Sequence, residues 1–170
     1  MIGDRWGVHE SEVVRSYPCD DFVTSPALQA WRGVSVEAPV EAVWPWVAQV
    51  RIAAYSYDWI DNLGRRSPRE LVSLPEPRVG DRFTTAAGRE WGRIVSVDPG
   101  NQLTGRMLGA FMSYVLLPQD QDTTRLLLKV VMQTSRWVAL GLSVGDLIMA
   151  RRQLLNFKQL VERHQTTNRL

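Results

Sequence analysis

The chain has 170 residues, 45% of them apolar, with 20 basic and 18 acidic side chains for a formal charge of +2. That is length for one domain and enough apolar content to bury a core, which excludes general disorder. The near balance of charge argues against a nucleic-acid partner despite a pI of 9.0. Cys19 stands alone, and His9 and His164 lie near the two ends, so neither an internal disulfide nor a zinc cage is expected, and no cofactor is implied.

Met1 to Glu10 is polar and mixed, without the apolar stretch of a signal peptide, and the expected setting is cytoplasmic and reducing. Residues 1–28 show little periodicity, are punctuated by Pro18, Asp20, Asp21, Ser25 and Pro26, and read as an extended arm with Trp6 and Val13-Val14 as anchors. Trp31 to Glu37 alternates and predicts a first strand. Ala38-Pro39 ends it. Proline at the first helical position, Glu41 in the first turn and Val40, Val43, Trp44 and Val47 at helical spacing predict a short helix, which Pro45 should kink. A second short helix is expected over Tyr57 to Leu63, stopped by Gly64. Arg65 to Pro77 holds three prolines and reads as a connection with one short strand at Leu71 to Leu74.

From Gly80 the pattern is strand after strand: Asp81–Thr85, Glu90–Val97, Gln102–Leu108, Phe111–Leu117 and Thr124–Thr134. The short links favour antiparallel neighbours. In the last strand Leu126, Leu128, Val130 and Met132 share one face, expected to meet the interior. Arg125, Lys129 and Gln133 share the other with Leu127 and Val131, a face expected to be partly wet. Both faces of Phe111–Leu117 are apolar, so its inward side stays open.

Ser143 to His164 closes the chain as a long amphipathic helix. Ser143 and Asp146 form a start signal, and Leu147, Ala150, Leu154, Phe157 and Val161 lie on one face, widened by Ile148, Leu155 and Leu160. The apolar run Trp137 to Ala150 is broken by Ser143 and Asp146 and is too short and polar to span a bilayer. The order predicts an α+β fold: a curved antiparallel sheet of six or seven strands, two short helices and a long C-terminal helix laid on one face. The expected organisation is an arm over 1–28, one domain over 29–166 and a tail over 167–170.

Val34-Ser-Val-Glu-Ala-Pro-Val-Glu-Ala-Val-Trp-Pro-Trp-Val-Ala-Gln-Val50 resembles the opening of the START-like, or SRPBCC, superfamily, which includes polyketide cyclases, plant pollen-allergen ligand binders and lipid-transfer domains. Tyr55 to Gly64, Val79-Gly-Asp-Arg82, Trp6-Gly-Val and Glu12-Val-Val resemble a bacterial branch of it. Arg51-Ile-Ala-Ala54 is shorter than the glycine-rich link common there and has no glycine. The resemblance covers most of the chain and implies a helix-grip fold with a cavity between sheet and C-terminal helix. It implies no catalytic set.

The residues offer several candidate groups. Tyr55, Tyr57 and Trp59 with Trp44 and Trp46 suit a pocket for a flat or lipidic molecule, or equally a satellite core. Asp58 and Asp61 share a helical face, where they would share a proton or simply carry surface charge. Phe83, Trp91, Phe111 and Tyr114 are strand aromatics, some of which must point inward; Met112, Met132 and Met149 would give an adaptable lining. Arg151 either snorkels to an anionic ligand group or stays solvated. The expected ligand-binding set is Tyr55, Tyr57, Phe83, Trp91, Phe111, Tyr114, Leu128, Met132, Leu147, Arg151 and Leu154. Three functions remain open: binding a small hydrophobic or amphipathic molecule, cyclase or dehydratase chemistry through Tyr or Asp proton transfer, and protein interaction through Trp137 to Leu142. Monomer and dimer are both open.

Overall fold

The computed structural model describes residues 4–55, 67–86, 88–133 and 136–168, leaving aside the side chains of residues 86, 136–148 and 168. The expected helix over Tyr57 to Leu63, with Asp58, Trp59 and Asp61, lies outside the described residues.

The elements run β1 (Arg5–Trp6), α1 (Glu10–Val13), a 3-10 turn (Pro18–Phe22), β2 (Leu28–Val36), α2 (Val40–Ala48) and a second 3-10 turn (Gln49–Arg51). Then follow β3 (Arg82–Ala86), β4 (Arg89–Asp98), β5 (Gln102–Met107), β6 (Ala110–Pro118), β7 (Thr124–Met132) and α3 (Arg136–Asn168). One seven-stranded sheet has the order β1-β2-β7-β6-β5-β4-β3. Only β1 is parallel to its neighbour; every other pair is antiparallel. The chain thus has the α+β helix-grip architecture, with a curved sheet and a long closing helix.

Over β2, β7 and β6 both faces of the sheet are covered. On the inner face Leu126, Leu128 and Val130 of β7 join Ala30, Val34 and Val36 of β2 and Leu154, Phe157 and Val161 of α3 in the main core. Each such side chain contributes about 1.5–3 kcal/mol by leaving water. On the outer face Leu127 and Val131 of β7, Val115 of β6 and Trp31 of β2 pack under Tyr17, Cys19 and Val23. Strands buried on both sides read as continuous apolar runs, which is why β6 shows no alternation. Met112, Tyr114 and Leu116 point inward, while Phe111, Val115 and Leu117 point outward.

Four expectations need correction. The outer face is not wet over β7: Arg125 and Lys129 are buried there, 7% and 4% exposed. The N-terminal segment that buries them is not one extended run, for it holds β1, α1 and a 3-10 turn. No strand forms at Leu71 to Leu74; Gln49 holds that stretch instead, accepting the Val72 N–H at 2.8 Å and donating to Glu70 O at 3.0 Å. The closing helix starts at Arg136, seven residues before Ser143, and runs for 33 residues. A single serine or glycine costs a helix only about 1 kcal/mol, too little to stop it without a proline.

Pro39 caps α2 rather than entering it. Pro45 lies inside α2, yet the helix continues to Ala48. The backbone bond it removes would have ended on the carbonyl of Glu41, an exposed residue whose carbonyl water can satisfy.

Candidate functional site

Large inward side chains are fully buried at one end of the inner face, whereas three at the other end are half-buried. Toward the C-terminal part of α3 the packing is closed: Leu154, Phe157 and Val161 are fully buried. Glu162 accepts the Glu37 N–H at 2.9 Å, and Lys158 donates to Ser35 O at 2.7 Å, so this part of the helix lies over the end of β2. Toward the other end of the sheet, where β7 passes into α3, the inward residues include Met107, Met112 and Met132, all half-buried, beside the small Ala30 and Ala110 and the buried Leu28 opposite Met132. Unbranched thioethers fill irregular space and adapt to what occupies it.

A polar seam separates the two regions. The Tyr114 hydroxyl, on the β6 strand, donates to Gln153 Oε1 on α3 at 2.6 Å, and Gln153 Nε2 donates to Ala54 O. Asn156, three residues on, donates to Tyr55 O at 2.7 Å, and Gln49 Nε2 donates to the Tyr55 hydroxyl. Tyr55 is held at φ 56°, a left-handed conformation uncommon for a residue with a side chain. Bonds at both its carbonyl and its hydroxyl over-determine that position. Aromatic packing completes the seam: Phe157 lies 5.2 Å from Tyr55 and 6.4 Å from Tyr114, and Phe83 lies 6.3 Å from Tyr114. Phe83 occupies the space where Gly105 has no Cβ; any side chain there would meet its ring at 1.9 Å.

Of the expected ligand set, Tyr55, Phe83, Tyr114, Leu128, Met132 and Leu154 share the inner face. Three stand elsewhere or differently. Phe111 is on the outer face, stacked on Phe22 at 5.0 Å, because its neighbour Met112 takes the inward position. Trp91 is 37% exposed, on a part of β4 that Gly92, at φ +70°, separates from the buried Ile94. Arg151 is exposed, its guanidinium 4.9 Å from the Trp6 ring. Tyr57 lies outside the described residues, as does the side chain of Leu147.

Sequence reasoning passed over Gln49, Gln153 and Asn156, whose roles depend on partners 6 to 101 residues away. It also missed Arg32. This arginine is fully buried on the inner side of β2, donating to Asp4 O at 2.7 Å and Trp31 O at 2.8 Å. A lone arginine inside the apolar run of β2 was the available signal.

A separate cleft of about 300 Å³ opens beside β3, lined chiefly by Arg51, Leu74, Pro75, Asp81, Arg82 and Glu90. Arg51 is buried, and burial lowers its pKa against the pull of Asp81, 3.5 Å away. The described residues contain no group of three His, Cys, Asp or Glu side chains able to hold a metal, and no helix among them is long and apolar enough to cross a membrane.

No protein-family model matches the chain, and no protein of curated function does. Solved structures do resemble it. Protein MLL2253 from Mesorhizobium loti superposes with a TM-score of 0.55 at 15% identity, covering 79% of this chain and 97% of its own. The Polyketide_cyc-like protein Cgl2372 from Corynebacterium glutamicum gives 0.53 at 12% identity, covering 84% and 96%. The di-domain ARO/CYC BexL from the BE-7585A biosynthetic pathway gives 0.51 at 15% identity, covering 79% of this chain and 46% of BexL. Likeness at such identities speaks for fold alone. With these structures the chain shares its helix-grip fold, the one that its resemblance to START-like proteins implied.

Proposed function

We propose that this chain binds a small hydrophobic or amphipathic molecule between the inner face of the sheet and the first half of α3. The observation that carries the reading is the change in packing along the inner face. The far end is closed by Leu154, Phe157 and Val161, whereas the end where α3 begins offers half-buried Met107, Met112 and Met132. Apolar contact there supplies affinity, at about 25 cal/mol per Å² before ordering costs. The Tyr114–Gln153 pair forms the polar floor at which a ligand's oxygen would find a donor.

Native mass spectrometry of gently purified protein should show an adduct of constant mass that denaturation releases. The stripped protein should bind one equivalent of the apolar probe anilinonaphthalene sulfonate, and Met112→Arg should abolish that binding. A protein with no adduct and no saturable probe binding would end the proposal.

Cyclase-like proton transfer in the same space is the second reading, supported by the two inward tyrosine hydroxyls and by the likeness to an ARO/CYC protein. It is the weaker one. The buried polar residues among those described include arginines, a lysine, glutamines, threonines and a serine but no aspartate or glutamate to serve as base.

A further inference from the structure

The outer face of the sheet is half covered, and the covered half shows what chemistry fits it. Over β2, β7 and β6 the N-terminal segment sets carboxylates on buried cations. Glu12 meets Arg125 at 2.7 Å and Asp20 meets Lys129 at 2.6 Å. It ends on an aromatic contact, Phe22 stacked on Phe111.

The cations do not end there. Phe111 pairs in register with Arg106, Arg106 with Arg93, and Arg93 with Arg82, so one row crosses β6, β5, β4 and β3 on the same outer face. At about 4.8 Å between strands, the three arginines lie within roughly 10 Å of one another. Arg82 is 42% exposed and Arg93 60%, and Arg106 is exposed, its guanidinium 5.7 Å from the Phe111 ring. Among the described residues Glu90 alone answers them, at 3.0 Å from Arg82 and 3.4 Å from Arg93, and Arg106 has no carboxylate partner. Like charges directly opposite one another weaken a sheet, so the row does not serve the fold.

We propose that the outer face over β3, β4 and β5 docks an acidic polypeptide segment of a partner protein. The segment would lay carboxylates on Arg106, Arg93 and Arg82 and an aromatic ring beside Phe22, whose side of the Phe22–Phe111 stack is 43% exposed. The chain's own covering segment is the template: same face, same carboxylate-on-cation pairing, same closing ring. Glu90, standing between two of the arginines, repels a continuous phosphate backbone more than a peptide whose carboxylates are spaced. This surface is independent of the ligand space on the inner face.

The probe is a fluorescein-labelled peptide of residues 10–23 of this chain carrying Cys19→Ser, titrated into the full chain. Saturable binding should weaken with rising salt, shift the amide resonances of β3–β5, and fall about tenfold or more in the double variant Arg93→Gln/Arg106→Gln. Both substituted positions are exposed and carry like charges opposite one another, so the thermal melt should not fall. Binding that ignores the double substitution, or that maps to β2 and β7, overturns the proposal. So does an absence of peptide binding at millimolar concentration, whether or not oligo(dT) or phosphatidylglycerol vesicles bind in its place.

Discussion

The two faces of one sheet are buried by different physics. The inner face is closed by α3 through apolar contact: Phe157, Leu154 and Val161 against Leu126, Leu128 and Val130. The outer face is closed by a short N-terminal segment that brings its own acids to buried bases, with Lys129 further held 5.3 Å from the Tyr17 ring and 5.1 Å from the Trp31 ring. Apolar burial is forgiving of direction and scales with area. A buried ion pair is unforgiving, because removing one partner strands the other's charge. The inner face should therefore tolerate exchange of similar volumes, and the outer face should respond to single charges.

The largest effect belongs to the inner face. Phe157→Ala removes a fully buried ring touching Tyr55 and Tyr114 and should cost about 3–5 kcal/mol in urea unfolding; a loss below about 1 kcal/mol would mean that α3 does not seal this end. Next comes Asp20→Ala, which leaves the Lys129 ammonium buried without its carboxylate and also removes the acceptor of the Tyr17 N–H. A loss of about 2–3 kcal/mol is expected, held below the figure for a fully buried pair because Asp20 is partly exposed and two rings face the ammonium. The double variant Asp20→Leu/Lys129→Met should recover most of it. Failure to recover would show that the pair, and not the area, holds the segment down.

This difference also explains what the sequence could and could not convey. The inward set Leu126, Leu128 and Val130 of β7 and the three-and-four spacing of Leu154, Phe157 and Val161 are properties of neighbours in the chain, and both were legible. The outer cover was not, because its determinants are pairs such as Glu12 with Arg125, 113 residues apart. Arg125 and Lys129 in a strand look like a solvated face until the acids that meet them are placed. Phe111 was ambiguous for the same reason: a strand buried on both sides gives no phase. Trp91 is a different case, since aromatic character reports a strand but not its exposure beyond Gly92. The seam of Gln49, Gln153 and Asn156 lay hidden because amides on helix surfaces are ordinarily solvated.

Tyr114→Phe tests the seam with a smaller effect. It deletes the hydroxyl that donates to Gln153 without changing volume and should cost about 1–2 kcal/mol, the Gln153 oxygen being left buried. Double substitution with Gln153→Leu should cost less than the sum of the two single changes. Additive costs would show that the two side chains do not act together.

The smallest change in stability, and the most specific to the outer face, is Glu12→Gln. Burial raises the Glu12 pKa, but the Arg125 hydrogen bond, the His9 N–H and the Arg125 charge together hold it below the ordinary 4.5. A carboxyl whose folded pKa is depressed adds stability above its unfolded pKa and loses it as pH falls through the folded value. The gap between wild type and Glu12→Gln should therefore be full at neutral pH and close in acid. Its size should stay near 1 kcal/mol, since the amide keeps an acceptor, and Arg125 also donates to Ser35 Oγ at 3.3 Å and to Gly7 O. Cys19 offers a local readout of the same event. It is fully buried beneath the segment, and burial pushes its thiol up to about 11, so iodoacetamide should label it only when the segment lifts. Labelling should speed up in Glu12→Gln at neutral pH and converge with wild type in acid once corrected for thiolate fraction. Equal rates at neutral pH would mean that Glu12 does not hold the outer cover in place.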